Sequence, residues 1–142
     1  MKREYPDTPL VGVGAVILDQ GRVVLVKRRL PPLAGEWSIP GGGLEIGETL
    51  REGVIREARE ETGLTVEPAE LLGVYDRLVR DDSRRVLYHY VLIDFLCRRR
   101  AGELQAGGDA DDARWFSQEE IAEISLVEDT AEVIRLGFEK TE

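Results

Sequence analysis

Nineteen residues, "LPPLAGEWSIPGGGLEIGE" (30–48), carry three prolines and five glycines and run straight into a helical segment. Such a stretch reads as loop, because proline removes a backbone donor and glycine leaves the backbone loose. It therefore divides the chain between two groups of elements. Before it, "PLVGVGAVILD" (9–19) and "RVVLVKRR" (22–29) are β-branched runs joined by "QG", the signature of a hairpin. After it, Thr49 and Glu52 form a T-x-x-E capping box and Gly63 is a natural C′ residue, so a helix is expected over about 50–62.

That helix ends in "REAREETGL" (56–64), which puts Glu57, Glu60 and Glu61 into five positions near its C-terminus. The helix dipole disfavours carboxylates there by a few tenths of a kcal/mol each, roughly, and the acids repel one another. Glu57 and Glu61 are four residues apart on one face, and Glu60 flanks them. Leu50, Val54, Ile55 and Ala58 occupy an adjoining apolar face, so the acids lie at the core edge. A solvated acidic face, partly offset by Arg56 and Arg59, is the simple explanation. The glycine loop beside it argues for more, because backbone without Cβ atoms admits a ligand closely. Glycine backbone with clustered carboxylates offers hard oxygen ligands of the kind that suit Mg²⁺ or Mn²⁺ and can bridge to phosphate.

The rest of the chain reads as further strands at "ELLGVYDRLVR" (70–80), "RRVLYHYVLIDFLCRRR" (84–100) and "ARWF" (113–116). Ser117 with Glu120 signals a short helix, and Ser125 with Glu128 a last helix over about 126–139. This order predicts one α/β (α+β) domain spanning 1–142, a sandwich around one mixed sheet. The net charge of −9 excludes non-specific binding to a nucleic-acid polymer, which needs basic residues along the phosphates. No apolar run approaches the ~18 residues of a membrane span. The N-terminal "MKREYPDTPL" has no apolar signal core, and the lone Cys97 has no internal disulfide partner, so a cytoplasmic location is expected.

Residues 42–64 resemble the Nudix box: Gly42, five residues, Glu48, seven residues, Arg56-Glu57, the small aliphatic Ala58, Arg59, Glu60-Glu61, Thr62, Gly63 and Leu64. Every fixed position matches, and "GEWSIPGG" (35–42) is similar to the usual lead-in. The resemblance implies the Nudix α/β/α sandwich and hydrolysis of a pyrophosphate bond in a nucleoside diphosphate derivative. It implies Glu57, Glu60, Glu61 and the carbonyl of Gly41 as ligands of Mg²⁺ (or Mn²⁺). Arg56 would orient Glu57 or its neighbours, and Glu48 would support the loop–helix geometry. The general base is either a box glutamate or an acid on "AGGDADDARW" (106–115). There Asp109 stands six before Trp115, with Asp111 and Asp112 as alternatives. The catalytic candidates are thus Glu57, Arg56, Glu60 and Asp109; Arg28, Trp37, Gly42 and Arg77 are candidate substrate contacts.

Alternation along its strand puts His89 with Leu87, Val91, Ile93 and Phe95, as a core histidine, and Trp115 is expected to be structural. The proline mark of ADP-ribose pyrophosphatases is absent from Val79–Asp81. The stretch after the box is nonetheless similar to small members of that group, and a MutT-like nucleoside triphosphate substrate fits equally. The expected partner is a small nucleotide, with no nucleic acid and no membrane, and the assembly is open to a homodimer. A non-catalytic nucleotide-sensing module is the alternative reading.

Overall fold

The computed structural model describes residues 2–141. Strand β1 (Leu10–Asp19) and β2 (Arg22–Arg28) form the expected hairpin, but they pair only near the turn, at Leu18 with Val23 and Asp19 with Arg22. Beyond it they splay. The gap is taken up by two short strands from within the glycine- and proline-rich segment, which composition alone had suggested was loop throughout. Strand β3 (Trp37–Ser38) joins the edge of β2 that faces β1, beyond the two turn pairs, and β4 (Gly41–Gly43) pairs with Gly12–Gly14 of β1. Ala15 N–H donates to the Pro40 carbonyl at 2.9 Å and Leu44 N–H to that of Val11 at 2.9 Å, which fixes the glycine run against β1.

Helix α1 (Leu50–Thr62) follows, then β5 (Thr65–Arg80) and β6 (Val86–Ala101), a long antiparallel ribbon. Strand β7 (Ala110–Ser117), α2 (Gln118–Glu123) and α3 (Glu128–Thr141) complete the chain. The result is a seven-stranded mixed sheet with the main path β3-β2-β1-β6-β5. Strands β1 and β6 are parallel, β4 is antiparallel to β1, and β7 is antiparallel to β2.

The two faces of β1 divide the core by strand alternation. Val13, Ala15 and Ile17 pack with Val54 and Ala58 of α1 and with Phe95 and Cys97 of β6. Val16 faces the other way, into Val23, Leu25, Ile39, Phe116 and the α3 residues Val133, Ile134 and Phe138. Helices on both faces make this an α/β/α sandwich. Among the described residues no helix is long and apolar enough to cross a membrane.

Three expectations change. The last helix starts at Glu128, and Ser125 does not cap it; Leu126 packs into the α3-side core, leaving the chain extended through Val127. Strand β7 begins at Ala110, so Asp111 and Asp112 lie in a strand, held by the pairing of β7 with β2. His89 is half-buried opposite Leu78 and is no core residue. The same face of β6 is core only toward Phe95 and Cys97; at the His89 end its β5 partner Leu78 is exposed, so the alternation stops marking a core there.

Candidate active site

The local sequence of α1 determines where its carboxylates go. The capping box forms: Glu52 N–H donates to Thr49 Oγ1 at 3.1 Å, and Thr49 N–H to Glu52 Oε1 at 2.8 Å. At the other end Gly63 takes φ +74°, in the left-handed region that favours glycine, and its N–H satisfies the Arg59 carbonyl. With both ends fixed, Ala58 and Val54 face the sheet and Glu57 and Glu61 project beside them toward the glycine strand. Glu61 is buried (6% exposed) and accepts from Gly41 N–H at 3.0 Å. Glu57 lies hard against Gly42: a Cβ built there would fall 2.6 Å from both carboxylate oxygens, so the close approach requires glycine.

Arg56 joins the loop to the helix. Its Nε donates to Glu48 Oε2 at 2.6 Å, its Nη2 to the Gly43 carbonyl at 2.9 Å and to Glu48 Oε1 at 3.0 Å. Its Nη1 donates to Glu57 Oε1 at 2.8 Å and to Glu60 Oε2 at 3.3 Å. One planar fork thus holds both arms of the motif, which a lysine could not do. The same pairing raises the Arg56 pKa above its ordinary value.

Glu57, Glu61, Arg28 and Asp109 line one cavity of about 800 Å³, with Gly41, Gly42 and Arg77 also on its wall. Burial pushes the Glu61 carboxyl up to about 7; the Gly41 N–H bond and Arg28 oppose this, whereas Glu57 and Asp109 add to it. Glu57 is also raised, by burial first, with Arg56 pulling the other way. Burial lowers the Arg28 pKa.

Several sequence candidates therefore meet: Glu57, Glu61, Asp109, Arg28, Arg77, Gly41 and Gly42 share the cavity. Arg77 is already engaged with Asp129 Oδ1 at 2.9 Å. Glu60 is exposed at the rim and reaches the site through Arg56. Asp111 and Asp112 turn away, to Arg29 and Arg114, leaving Asp109 as the acid of that segment that faces the glutamates. Trp37, a candidate substrate contact, is not brought to the cavity. Its ring meets Phe116 edge-on at 5.1 Å and lies under Lys27 and Arg114, because β3 turns it into the α3-side core. Trp115 packs against the α1-side core beneath Arg22. Sequence reasoning missed Asp94 and Asp129, which also line the cavity. An aspartate inside the apolar run "YVLIDFLC" was the available signal.

The donor set suits a divalent cation. Glu57, Glu61 and Asp109 are hard oxygen donors on one cavity, with excess negative charge for Arg28 to offset. Among the described residues, no group of three or more acidic, histidine or cysteine side chains already encloses a single point. Magnesium is commonly held by one or two carboxylates, with water and substrate phosphate completing its shell, so the residues fit such an ion.

The family model described as the NUDIX domain matches residues 8–137. An ADP-ribose pyrophosphatase of Methanocaldococcus jannaschii is 37% identical over 118 residues, covering 83% of this chain and 68% of its own. A MutT-like protein of Streptomyces ambofaciens is 34% identical, covering 85% of this chain and 73% of its own. The crystal structure of a MutT Nudix hydrolase from Burkholderia pseudomallei superposes with a TM-score of 0.76 at 30% identity, over 96% of this chain and 100% of that one. With the intact box folded onto a carboxylate-lined cavity and the family model spanning nearly the whole chain, this protein belongs to the Nudix hydrolase family.

Proposed function

We propose that this protein hydrolyses the pyrophosphate bond of a small nucleoside diphosphate derivative, either an ADP-ribose-like compound or a nucleoside triphosphate, with Mg²⁺ or Mn²⁺. The observation that carries this reading is the buried Glu61 and the partly buried Glu57, held against bare glycine backbone with Asp109 facing both. Two carboxylates kept this close in a largely buried cleft are costly unless positive charge joins them.

In this reading Glu57 and Glu61, with Glu60 at the rim, hold the cations, and the Gly41 backbone borders them. When bound, the cations would polarise phosphoryl oxygens and acidify the attacking water. Arg56 keeps Glu57 and Glu48 in place, while Arg28 meets a phosphate oxygen. Asp109 accepts the proton from water on a carboxylate oxygen. The ADP-ribose side of the proposal draws on the archaeal relative and the triphosphate side on the MutT-like one.

The test is a panel of ADP-ribose, dGTP, 8-oxo-dGTP, CTP and diadenosine tetraphosphate, with and without Mg²⁺, and with products identified. Metal-dependent release of AMP and ribose 5-phosphate selects the first substrate class. Pyrophosphate with a nucleoside monophosphate selects the second. Binding without turnover across the panel would contradict the enzymatic reading and favour a nucleotide sensor.

A further inference from the structure

The cavity extends well beyond the glutamates. Across the sheet Gly41, Gly14 and Asp94 lie in register on β4, β1 and β6. Two strand spacings, about 10 Å, therefore separate the Gly41 backbone from that of Asp94. The Asp94 side chain is 7% exposed and lines the cavity. A Cβ on Gly14 would overlap its Oδ1 and would also meet Ile39 Cδ1 at 2.8 Å, so the bare strand makes room for the carboxyl.

Among the described residues Asp94 has no hydrogen-bond partner. The nearby Arg77 is bonded to both oxygens of Asp129, at 2.9 and 3.0 Å. Among the described residues no polar side-chain atom sealed from solvent lacks a partner, so the Asp94 oxygens open onto the cavity. A buried carboxyl with unused acceptors is costly, which points to a ligand group that satisfies it. The ligand's phosphates do not belong there, since a carboxyl repels them and the cavity's Arg28 interacts with Glu61 rather than with Asp94. A sugar brings several hydroxyls, each needing a partner, whereas this part of the cavity offers a glycine strand, Ile39 and Leu92 beside Asp94, and the neighbouring Arg77 and Asp129 are already bonded to each other. A planar base with one N–H donor matches that lining.

We propose that Asp94 determines nucleobase specificity, accepting a hydrogen bond from the exocyclic amine of a 6-aminopurine or a 4-aminopyrimidine. The proposal rests on the nucleotide reading above and names the part of the substrate that this end of the site reads. A carboxyl oxygen accepts in either protonation state. Burial also pushes this carboxyl up to about 7, with Asp129 adding to the effect and Arg77 opposing it, as expected where no bonded partner satisfies the ionised oxygens.

Equilibrium binding tests this without turnover, by titrating the wild-type protein with AMP against IMP and CMP against UMP, with Mg²⁺ present. In at least one pair the amino base should bind about tenfold or more tightly, as expected for one buried hydrogen bond lost with its acceptor left unpaired. The nearly isosteric Asp94→Leu should bring that ratio close to one. Asp94→Asn, whose amide oxygen still accepts, should retain the preference. Thermal melts establish that both variants fold. If the leucine variant does not, the wild-type ratios decide alone.

Ratios near one in both wild-type pairs, or a preference that survives Asp94→Leu, would overturn the proposal. So would no binding of any of the four. Absence of hydrolysis with the amino preference intact would overturn the enzymatic reading and leave the base-reading role standing.

Discussion

Glu61 concentrates the chemistry of the site in one side chain. Its carboxyl is pushed up to about 7 from an ordinary value near 4.5, chiefly by burial. The folded protein therefore binds this proton more tightly than the unfolded chain does. The associated stability is complete below about pH 4.5 and is lost as pH rises through about 7. The full span is worth at most about 3 kcal/mol. The melting temperature of the metal-free protein should therefore fall between pH 5.5 and 8, and Glu61→Gln should remove much of that fall. Because a bound cation needs the ionised carboxylate, Mg²⁺ should raise the melting temperature more at pH 8 than at pH 6. Calorimetric scans at both pH values check this; equal Mg²⁺ effects would contradict the assignment. Arg56 is the complementary case. Arg56→Ala removes the fork that spans Glu48, Glu57 and the Gly43 carbonyl, and should cost about 2 kcal/mol, since the cluster is partly exposed. Arg56→Lys should recover part of this stability but little activity, as a point charge cannot span the three acceptors. Urea unfolding and steady-state rates separate the two effects.

At the scale of elements, α1 carries the site and its ends hold it in register. Thr49→Ala removes one half of the capping box and should cost about 1 kcal/mol in urea unfolding. Gly63→Ala forces a Cβ into the left-handed region and to 2.9 Å from the Glu103 carbonyl oxygen. It should cost more than the Thr49 change, roughly 1–2 kcal/mol. Both ends of this helix were legible in the sequence, because capping boxes and C′ glycines are local devices that owe little to tertiary context. The same logic misplaced the start of α3: Ser125 and Glu128 have the right spacing, but Leu126 is needed in the core. Strands β3 and β4 were not legible, because a run of glycines has no strand propensity. They become strands only because β1 and β2 splay and leave edges to pair. Asp109 was legible by spacing from Trp115. Its separation from Asp111 and Asp112 depended on where β7 begins and on the partners Arg29 and Arg114, which no local pattern records.

For the whole molecule, the sheet is the device that joins distant sequence into one cavity. Its splayed hairpin lets the glycine strand and α1 approach β1 from one side, while β6 brings Asp94 from the other. Long-range parallel pairing of this kind is invisible to periodicity, so the outer end of the cavity went unread although its inner end could be named residue by residue. In the proposed reading the α1 carboxylates serve turnover rather than the fold. That reading predicts that Glu57→Gln and Glu61→Gln retain cooperative melting while losing function. Removing one cation-holding charge should lower kcat by about 10²-fold or more. The most direct measurement is therefore Mg²⁺-dependent hydrolysis of whichever panel nucleotide is turned over, by wild type and both variants, beside their melting curves. Folded variants with at most about 1% of wild-type turnover are the predicted result. Folded variants that hydrolyse at the wild-type rate would contradict it.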